Sequence, residues 1–392
     1  MSNAPAQPVA GAPSRSSKAP PRIASKARRA LAMLAGCLAV TSAAFALSAC
    51  RTEQKAVVAL PAVGANLAET TVSGISSGAY MAGQFQLAHG DIVIGAGIIA
   101  GGPFGCAESL YADLMPGPAT ALINATKAIN GCMLNAMQLW GVPNPPMLAR
   151  KAAAMAGEGE IAPLASVLQD RVYLFTGRSD RTVMPAIVQA AAEFYRRLGV
   201  PEQQIKLVAT LDAGHAFVTE TEGQACDVTG KPYIVDCDYD QAGDMLGFIL
   251  GPLQRPAPAV SGALLNFDQR PFTGDLAHHG MADVGAVYVP KACAGPGIDP
   301  ATRCRVHIAF HGCGQNRELV GDAFIRSTGF GRWADTNRLI VLFPQTTTSP
   351  FNPQACWDWW GYTGRDYLTR SAPQTTAVRR MLDRLSSVDR PS

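Results

Sequence analysis

The sequence predicts an α/β fold in which a mostly parallel central sheet carries helices on both faces. Short apolar, β-branched runs recur along the chain, and helical stretches alternate with them, which is the pattern of a parallel sheet covered on two sides. The composition supports a large core, because 48% of the 392 residues are hydrophobic and only 16% are charged. This composition excludes an intrinsically disordered chain.

Seven runs have the length and composition of strands, and four have those of helices. The predicted strands cover residues 70–75, 92–99, 171–176, 205–211, 286–289, 306–310 and 339–343. The predicted helices cover residues 78–88, 185–198, 242–250 and 376–385. The stretch 252–283 is richer in Pro, Gly and His, and its length fits either a linker or a long surface loop.

The first fifty residues form a predicted targeting segment that lies outside the fold. A Pro/Ser/Ala-rich start is followed by basic residues and then by the apolar run 30–47, which is the order of an export signal. The segment ends in Leu-Ser-Ala-Cys at Cys50, which resembles the lipobox of bacterial lipoproteins, so we expect cleavage and lipid attachment there. Ordinary signal cleavage nearby and an uncleaved membrane anchor are the alternatives, although the run is short for a span. Residues 51–392 would form a single domain.

The targeting segment also carries much of the positive charge. Residues 1–50 contain six basic and no acidic residues, so the rest of the chain has 27 basic against 30 acidic residues, a formal charge of about −3. A body this close to neutral has no electrostatic footprint for nucleic acid, and it suits an uncharged substrate.

Eight cysteines lie beyond Cys50, and an even number in an exported chain predicts disulfides. The near neighbours 226/237 and 293/304 could close short loops, which leaves 106/132 and 313/356, although the sequence alone does not fix the connectivity. A zinc site is the competing interpretation, but the chain contains no C-x-x-C pair.

Gly74-Ile75-Ser76-Ser77-Gly78 is a G-x-S-x-G pentapeptide, the motif of a serine held on a sharp turn between a strand and a helix. The glycines relieve crowding around the strained serine backbone. The motif is short enough to occur by chance, but here a predicted strand precedes it and a predicted helix follows it. Ser76 is therefore a candidate nucleophile, and a Gly/Ser surface turn is the alternative.

A serine hydroxyl needs a histidine to take its proton and a carboxylate to hold that histidine in the right tautomer. Asp180 follows the predicted strand 171–176, and His215 follows the predicted strand 205–211. This Ser, acid, His order is that of the α/β-hydrolases. We therefore predict Ser76, Asp180 and His215 as a catalytic triad.

Two residues compete for these roles. His311 is the main alternative base because it also follows a predicted strand, but it belongs to a different motif. Asp212 is the alternative acid, although it lies too close to His215 along the chain to be its usual partner.

An oxyanion hole needs two backbone N–H groups aimed at the attacked carbonyl oxygen. Ser77 should supply one, because it follows the nucleophile. The other usually comes from an HG-type loop after an earlier strand, but the mature chain before Ser76 is too short for that strand and its helix. The sequence HGCGQN at 311–316 fits this loop, and the run 339–343 fits the next strand. We infer a circular permutation, in which strands that ordinarily precede the nucleophile follow the histidine.

Together these motifs resemble those of the extracellular poly(3-hydroxybutyrate) depolymerases, in their single-domain, circularly permuted α/β-hydrolase branch. The resemblance spans about residues 65–375 and rests on residues 74–80, Asp180, 214–215, 311–316 and the sequence CWDWWGY at 356–362. It implies a secreted serine esterase that releases hydroxyalkanoate oligomers or monomers. It also implies that Cys313 donates the second oxyanion N–H. A tryptophan of the cluster Trp357, Trp359 and Trp360 would line the substrate crevice.

The three clustered tryptophans indicate a rigid aromatic wall for an apolar ester, and a core or surface aromatic cluster is the alternative. Two other functions fit the sequence: a feruloyl or acetyl xylan esterase with the same catalytic parts, and a polymer-binding surface lipoprotein without catalysis. We expect a monomer that acts on polyester polymer or oligomers, binds no nucleic acid and needs no metal or organic cofactor.

Overall fold

The centre of the fold is a nine-stranded sheet in a computed structural model that describes residues 56–109, 118–294 and 302–388. Nine strands lie side by side in the order β1, β9, β10, β12, β11, β2, β3, β4, β5, and β6, β8 and β7 form a small second sheet. The strands are β1 (Val57–Val58), β2 (Asn66–Ile75), β3 (Val93–Ile99), β4 (Arg171–Phe175), β5 (Ile205–Val208), β6 (Phe217–Thr219), β7 (Gln224–Ala225), β8 (Ile234–Asp236), β9 (Ala263–Asp268), β10 (Val284–Val289), β11 (Arg305–Phe310) and β12 (Leu339–Phe343).

The helices in the described part of the chain connect these strands or pack against the large sheet. Two of them begin at a side-chain cap, because Asn144 accepts the N–H of Met147 and Asp240 accepts the N–H of Gly243. The helices are α1 (Ser77–Ala88), α2 (Pro118–Cys132), α3 (Pro145–Gly157), α4 (Pro185–Leu198), α5 (Gln241–Leu250), α6 (Arg270–Thr273), α7 (Arg317–Val320), α8 (Ala323–Ser327), α9 (Phe330–Asn337) and α10 (Pro373–Ser386).

The part of the sheet from β12 to β5 is parallel, whereas β10 pairs antiparallel with both β12 and β9. Successive residues of one strand point to opposite faces of the sheet. In β4, Val172 and Leu174 belong to one apolar cluster, while Tyr173 and Phe175 belong to another. The sheet is therefore buried on both faces, which confirms the predicted mostly parallel sheet covered by helices.

All seven predicted strands and all four predicted helices form, with ends that differ by up to four residues. The stretch 252–283 is more than a linker or loop, because it supplies β9, which pairs with β10 over six residues. Helices α2 and α3 lie outside the predicted elements. Both are rich in alanine and have few large apolar residues to mark a buried face.

Four disulfides join the eight cysteines beyond Cys50, in the pairing that the sequence indicated. They link Cys106 to Cys132, Cys226 to Cys237, Cys293 to Cys304 and Cys313 to Cys356. This disulfide content is typical of a protein that folds outside the reducing cytosol. Among the helices of the described ranges, none combines the length and the apolar character that crossing a bilayer requires. The targeting segment 1–50, with Cys50, lies outside the described residues.

Candidate active site

Ser76 occupies the turn between β2 and α1, with φ 82° and ψ −112°. Two glycines make this strained turn sterically possible. A Cβ on Gly74 would lie 2.2 Å from the carbonyl oxygen of Gly78, and a Cβ on Gly78 would lie 2.3 Å from that of Phe310. The motif therefore needs glycine at both positions, and the second glycine also lets the turn press against the end of β11.

Asp180 lies in the turn that follows β4, where it is fully buried. Its Oδ1 accepts the N–H groups of Thr182 (2.8 Å) and Val183 (2.9 Å), which fixes the carboxylate and leaves Oδ2 for another donor. The turn packs directly on the chain before His215. A Cβ on Gly177 would lie 2.0 Å from the carbonyl oxygen of Ala213.

His215 connects the other two residues. Its Nδ1 lies 2.8 Å from Asp180 Oδ2, and its Nε2 lies 3.0 Å from Ser76 Oγ. Because an ionised carboxylate only accepts hydrogen bonds, Nδ1 carries the proton and Nε2 is free to accept the serine hydroxyl. The backbone N–H of His215 donates to Thr229 Oγ1 at 2.8 Å. The structure thus brings all three residues of the expected triad into one hydrogen-bonded chain.

The two competing residues lie elsewhere. His311 is fully buried; its Nδ1 donates to the carbonyl oxygen of Gly312 (2.8 Å), and its Nε2 lies 3.3 Å from the backbone nitrogen of Thr346. Burial lowers the pKa of His311 to about 4, so the ring is a neutral anchor of its loop. Asp212 pairs at the surface with Arg178 Nε at 2.8 Å.

The HG loop lies beside the nucleophile because β11 pairs in parallel with β2, with Phe310 opposite Gly74. A Cβ on Gly312 would lie 3.3 Å from the carbonyl oxygen of Ile75, so the loop passes close to the turn. Ser77 is the first residue of α1, where a backbone N–H has no acceptor within its own helix. Among the described residues, no acceptor receives the N–H of Cys313.

The three tryptophans have different surroundings. Trp357 is fully buried, with its ring 4.9 Å from Phe310 in an edge contact, so it belongs to the core and not to an open wall. Trp359 stacks on Tyr80 with 4.1 Å between the ring centroids, and Trp360 is half-buried and stands perpendicular to Trp359. Trp360 is therefore exposed enough to line a crevice, Trp359 is 5% exposed and has little surface to offer one, and the expectation for Trp357 conflicts with its complete burial.

Asp358 was not singled out by its sequence, yet it organises the aromatic segment. Its buried carboxylate accepts the backbone N–H groups of residues 360–363 and the hydroxyl of Thr363, at 2.7–3.2 Å. Asp side chains commonly accept backbone N–H groups of the turn that follows them, and an Asp three residues before Gly361 was the available signal.

A serine on a strand-to-helix turn, with an acid and a histidine on loops after later parallel strands, defines the α/β-hydrolase fold. No known family profile matches the chain. A poly(3-hydroxybutyrate) depolymerase of Delftia acidovorans is 38% identical over 335 residues, 85% of this chain and 62% of that protein. A polyhydroxybutyrate depolymerase of Talaromyces funiculosus is 34% identical over 343 residues, 83% of this chain and 91% of that protein.

Solved structures agree with these relatives. The crystal structure of PHB depolymerase from Penicillium funiculosum matches with a TM-score of 0.70 and 32% identity, over 84% of this chain and 99% of that chain. A serine-to-alanine variant of a PHB depolymerase complexed with an R3HB trimer matches over the same shares, with a TM-score of 0.71 and 32% identity. The chain belongs to the polyhydroxybutyrate depolymerase family.

Proposed function

We propose that the protein is a serine esterase that hydrolyses polyesters of the poly(3-hydroxybutyrate) type. The observation that carries this proposal is the hydrogen-bonded chain from Ser76 through His215 to Asp180 beside the HG loop. The substrate class is supported by relatives named as polyhydroxybutyrate depolymerases and by the R3HB trimer in one solved neighbour.

Acylation begins when Ser76 Oγ attacks an ester carbonyl carbon and its proton passes to His215 Nε2. Asp180 Oδ2 holds the Nδ1–H and stabilises the imidazolium. We assign the oxyanion to the N–H groups of Ser77 and Cys313. When the carbon–oxygen bond breaks, the leaving alcohol takes the proton from Nε2, and the acyl group stays on Ser76.

Deacylation repeats these steps with water. His215 Nε2 takes a proton from the attacking water, and the second tetrahedral intermediate uses the same two N–H groups. The proton then returns to Ser76 Oγ as the acyl bond breaks, and the acid product leaves. These steps need only the chain's own residues and water.

An exposed apolar surface near the site supports an apolar polymer as substrate. Met184, four residues after Asp180, donates its N–H to the carbonyl oxygen of Met133 at 2.9 Å, so the segment 118–140, which begins with α2, lies against the loop of Asp180. This segment exposes five large apolar side chains: Leu122, Ile129, Leu134, Leu139 and Trp140. A contiguous exposed apolar patch commonly has a binding role, and we propose that these five side chains form one. We propose that it contacts polyester while one ester enters the site.

The aromatic wall of the crevice is assigned to Trp359 and Trp360. Tyr80 lies one helical turn after Ser76, so its stacking on Trp359 brings these rings towards the nucleophile.

We also propose that residues 1–50 direct export and that residues 51–392 are the catalytic domain, with a lipid on Cys50 and a monomeric state. The strand order supports a circular permutation. The strands next to β2 on one side are β11 and β12, which follow His215 in the chain.

Products released from polyhydroxybutyrate film by wild type and by Ser76→Ala test the proposal. Wild type should release 3-hydroxybutyrate or its oligomers, and the variant should release none above background. Feruloyl and acetyl xylan serve as parallel substrates. Activity on a xylan ester with none on the film would overturn the polyester assignment, and equal fluorophosphonate labelling of both proteins would overturn Ser76 as nucleophile.

A further inference from the structure

Gln315 joins two loops of the site through one buried side chain. It is 2% exposed and lies two residues after Cys313. Its Oε1 accepts the N–H of Gly312 at 2.8 Å, and its Nε2 donates to the carbonyl oxygens of Pro232 and Tyr233, each at 3.1 Å. One end of the carboxamide therefore holds the HG loop, and the other end holds the segment between β7 and β8.

The segment between β7 and β8 is also the support of the catalytic histidine. Gly214 donates its N–H to the carbonyl oxygen of Cys226 at 2.8 Å, and His215 donates its N–H to Thr229 Oγ1 at 2.8 Å. A Cβ on Gly214 would lie 2.4 Å from the carbonyl oxygen of Val228, so this contact is close. The first half of the segment thus holds His215, and the second half is held by Gln315.

The same loop contacts fix the direction of the Cys313 N–H. The carbonyl oxygen of Gly312 accepts His311 Nδ1–H at 2.8 Å and the N–H of Gln315 at 3.2 Å. That carbonyl shares a planar peptide group with the N–H of Cys313, and in a trans peptide the two point in opposite directions. Holding the carbonyl and the preceding N–H of Gly312 therefore aims the Cys313 N–H.

We propose that Gln315 is a positioning residue that keeps the Cys313 N–H at a fixed offset from His215 in the transition state. The inference rests on the proposed esterase function. A carboxamide is required because one end must accept a hydrogen bond and the other must donate two. A glutamate of the same shape loses both donated bonds and places a carboxylate against two carbonyl oxygens.

The test compares Gln315→Glu with a matched control, Gln269→Glu. Gln269 is also fully buried, accepts one N–H (Gln345, 3.0 Å) and donates to two carbonyl oxygens, those of Ala282 (2.6 Å) and Gln345 (2.9 Å). It joins β9 to the chain after β12; through Gln345 it lies one residue from Thr346, whose backbone nitrogen is 3.3 Å from His311 Nε2 in the HG loop, but it has no hydrogen bond to the segment that holds His215. Both variants lose two donated bonds of the same kind, and the melting temperature of each shows how much stability it loses.

The readouts are the melting temperature, kcat and KM on 4-nitrophenyl butyrate, and the inhibition constant of a boronic acid. We expect Gln315→Glu to lower kcat about 10- to 100-fold with KM within about twofold, because a small misplacement of an oxyanion donor acts on the transition state. Its boronate inhibition constant should rise, since the tetrahedral adduct uses the same N–H groups. Gln269→Glu should keep kcat within about twofold of wild type, even if its melting temperature falls.

An unchanged kcat in Gln315→Glu, or an equal loss in Gln269→Glu, would overturn the positioning role. If Gln315→Glu does not fold, Gln315→Asn replaces it; this amide is one carbon too short to reach both loops, and a wild-type kcat would again overturn the role. An inactive wild type overturns the esterase proposal itself, which separates the two failures.

Discussion

A buried carboxyl group at Asp170, immediately before β4, should make the fold less stable as the pH rises. Burial raises the pKa of Asp170 from its ordinary 3.8 to about 7, although the hydrogen bond from Gln86 Nε2 (2.7 Å) favours the ionised form. Below both pKa values the group is protonated in the folded and unfolded chains alike. Between them only the unfolded chain is ionised, so the free energy of unfolding falls as the pH rises. Above about pH 7 the loss is complete.

Asp170→Asn removes this titration and keeps an oxygen that accepts from Gln86. A pKa difference of about three units corresponds to about 4 kcal/mol as an upper bound, at about 1.4 kcal/mol per unit. We therefore expect the variant's advantage in the free energy of unfolding to be about 2 to 4 kcal/mol larger at pH 8 than at pH 4. Effects of the substitution that do not depend on pH cancel in this comparison.

Urea unfolding of wild type and Asp170→Asn at pH 4, 6 and 8 measures this difference directly. Asp212→Asn is the control, because it removes a carboxylate from an exposed pair with Arg178, where ion pairs contribute little. An equal difference between Asp170→Asn and wild type at all three pH values would refute the reasoning, as would a larger advantage at pH 4.

Three further substitutions test the site. Gly78→Ala places a Cβ 2.3 Å from the carbonyl oxygen of Phe310 and should destabilise the fold by at least about 2 kcal/mol, measured by urea unfolding; a stable, active variant would contradict the close approach. Asp180→Asn should lower kcat about 10⁴-fold, because His215 is left in the wrong tautomer, and a loss below about tenfold in a soluble-ester assay would contradict the triad. Trp360→Ala should raise KM for soluble hydroxybutyrate oligomers and leave kcat within about twofold, and an unchanged KM would remove Trp360 from the crevice.

The local sequence carries the catalytic elements because each is a short motif at the end of an apolar strand. The serine turn needs two glycines around Ser76, Asp180 follows a run that is buried on both faces of the sheet, and His215 follows an apolar run at the sheet edge. Parallel strands place their carboxyl ends at one edge, so strand positions alone predict that these residues meet. The structure also distinguishes His215 from His311 as the base, because His311 is hydrogen-bonded within its own loop.

The aromatic segment shows where such reasoning stops. Trp357, Trp359 and Trp360 are equivalent in sequence, but Trp357 packs on Phe310 in the core, Trp359 is buried in a stack on Tyr80, and Trp360 is half-buried. Burial depends on which distant residue each ring meets, and a local pattern contains no such information. The antiparallel strand β9 is a similar case, because its partner β10 identifies it and its own composition does not.

The sequence by itself determined the order of seven strands and four helices, the catalytic residue types and the even set of cysteines, because these depend on local periodicity and short motifs. The tertiary structure alone decided how the loops are joined. Gln315 between the loops of Cys313 and His215, and Asp358 under the aromatic segment, act through hydrogen bonds to backbone groups. Every residue carries such groups, so only their positions in space reveal which ones are paired.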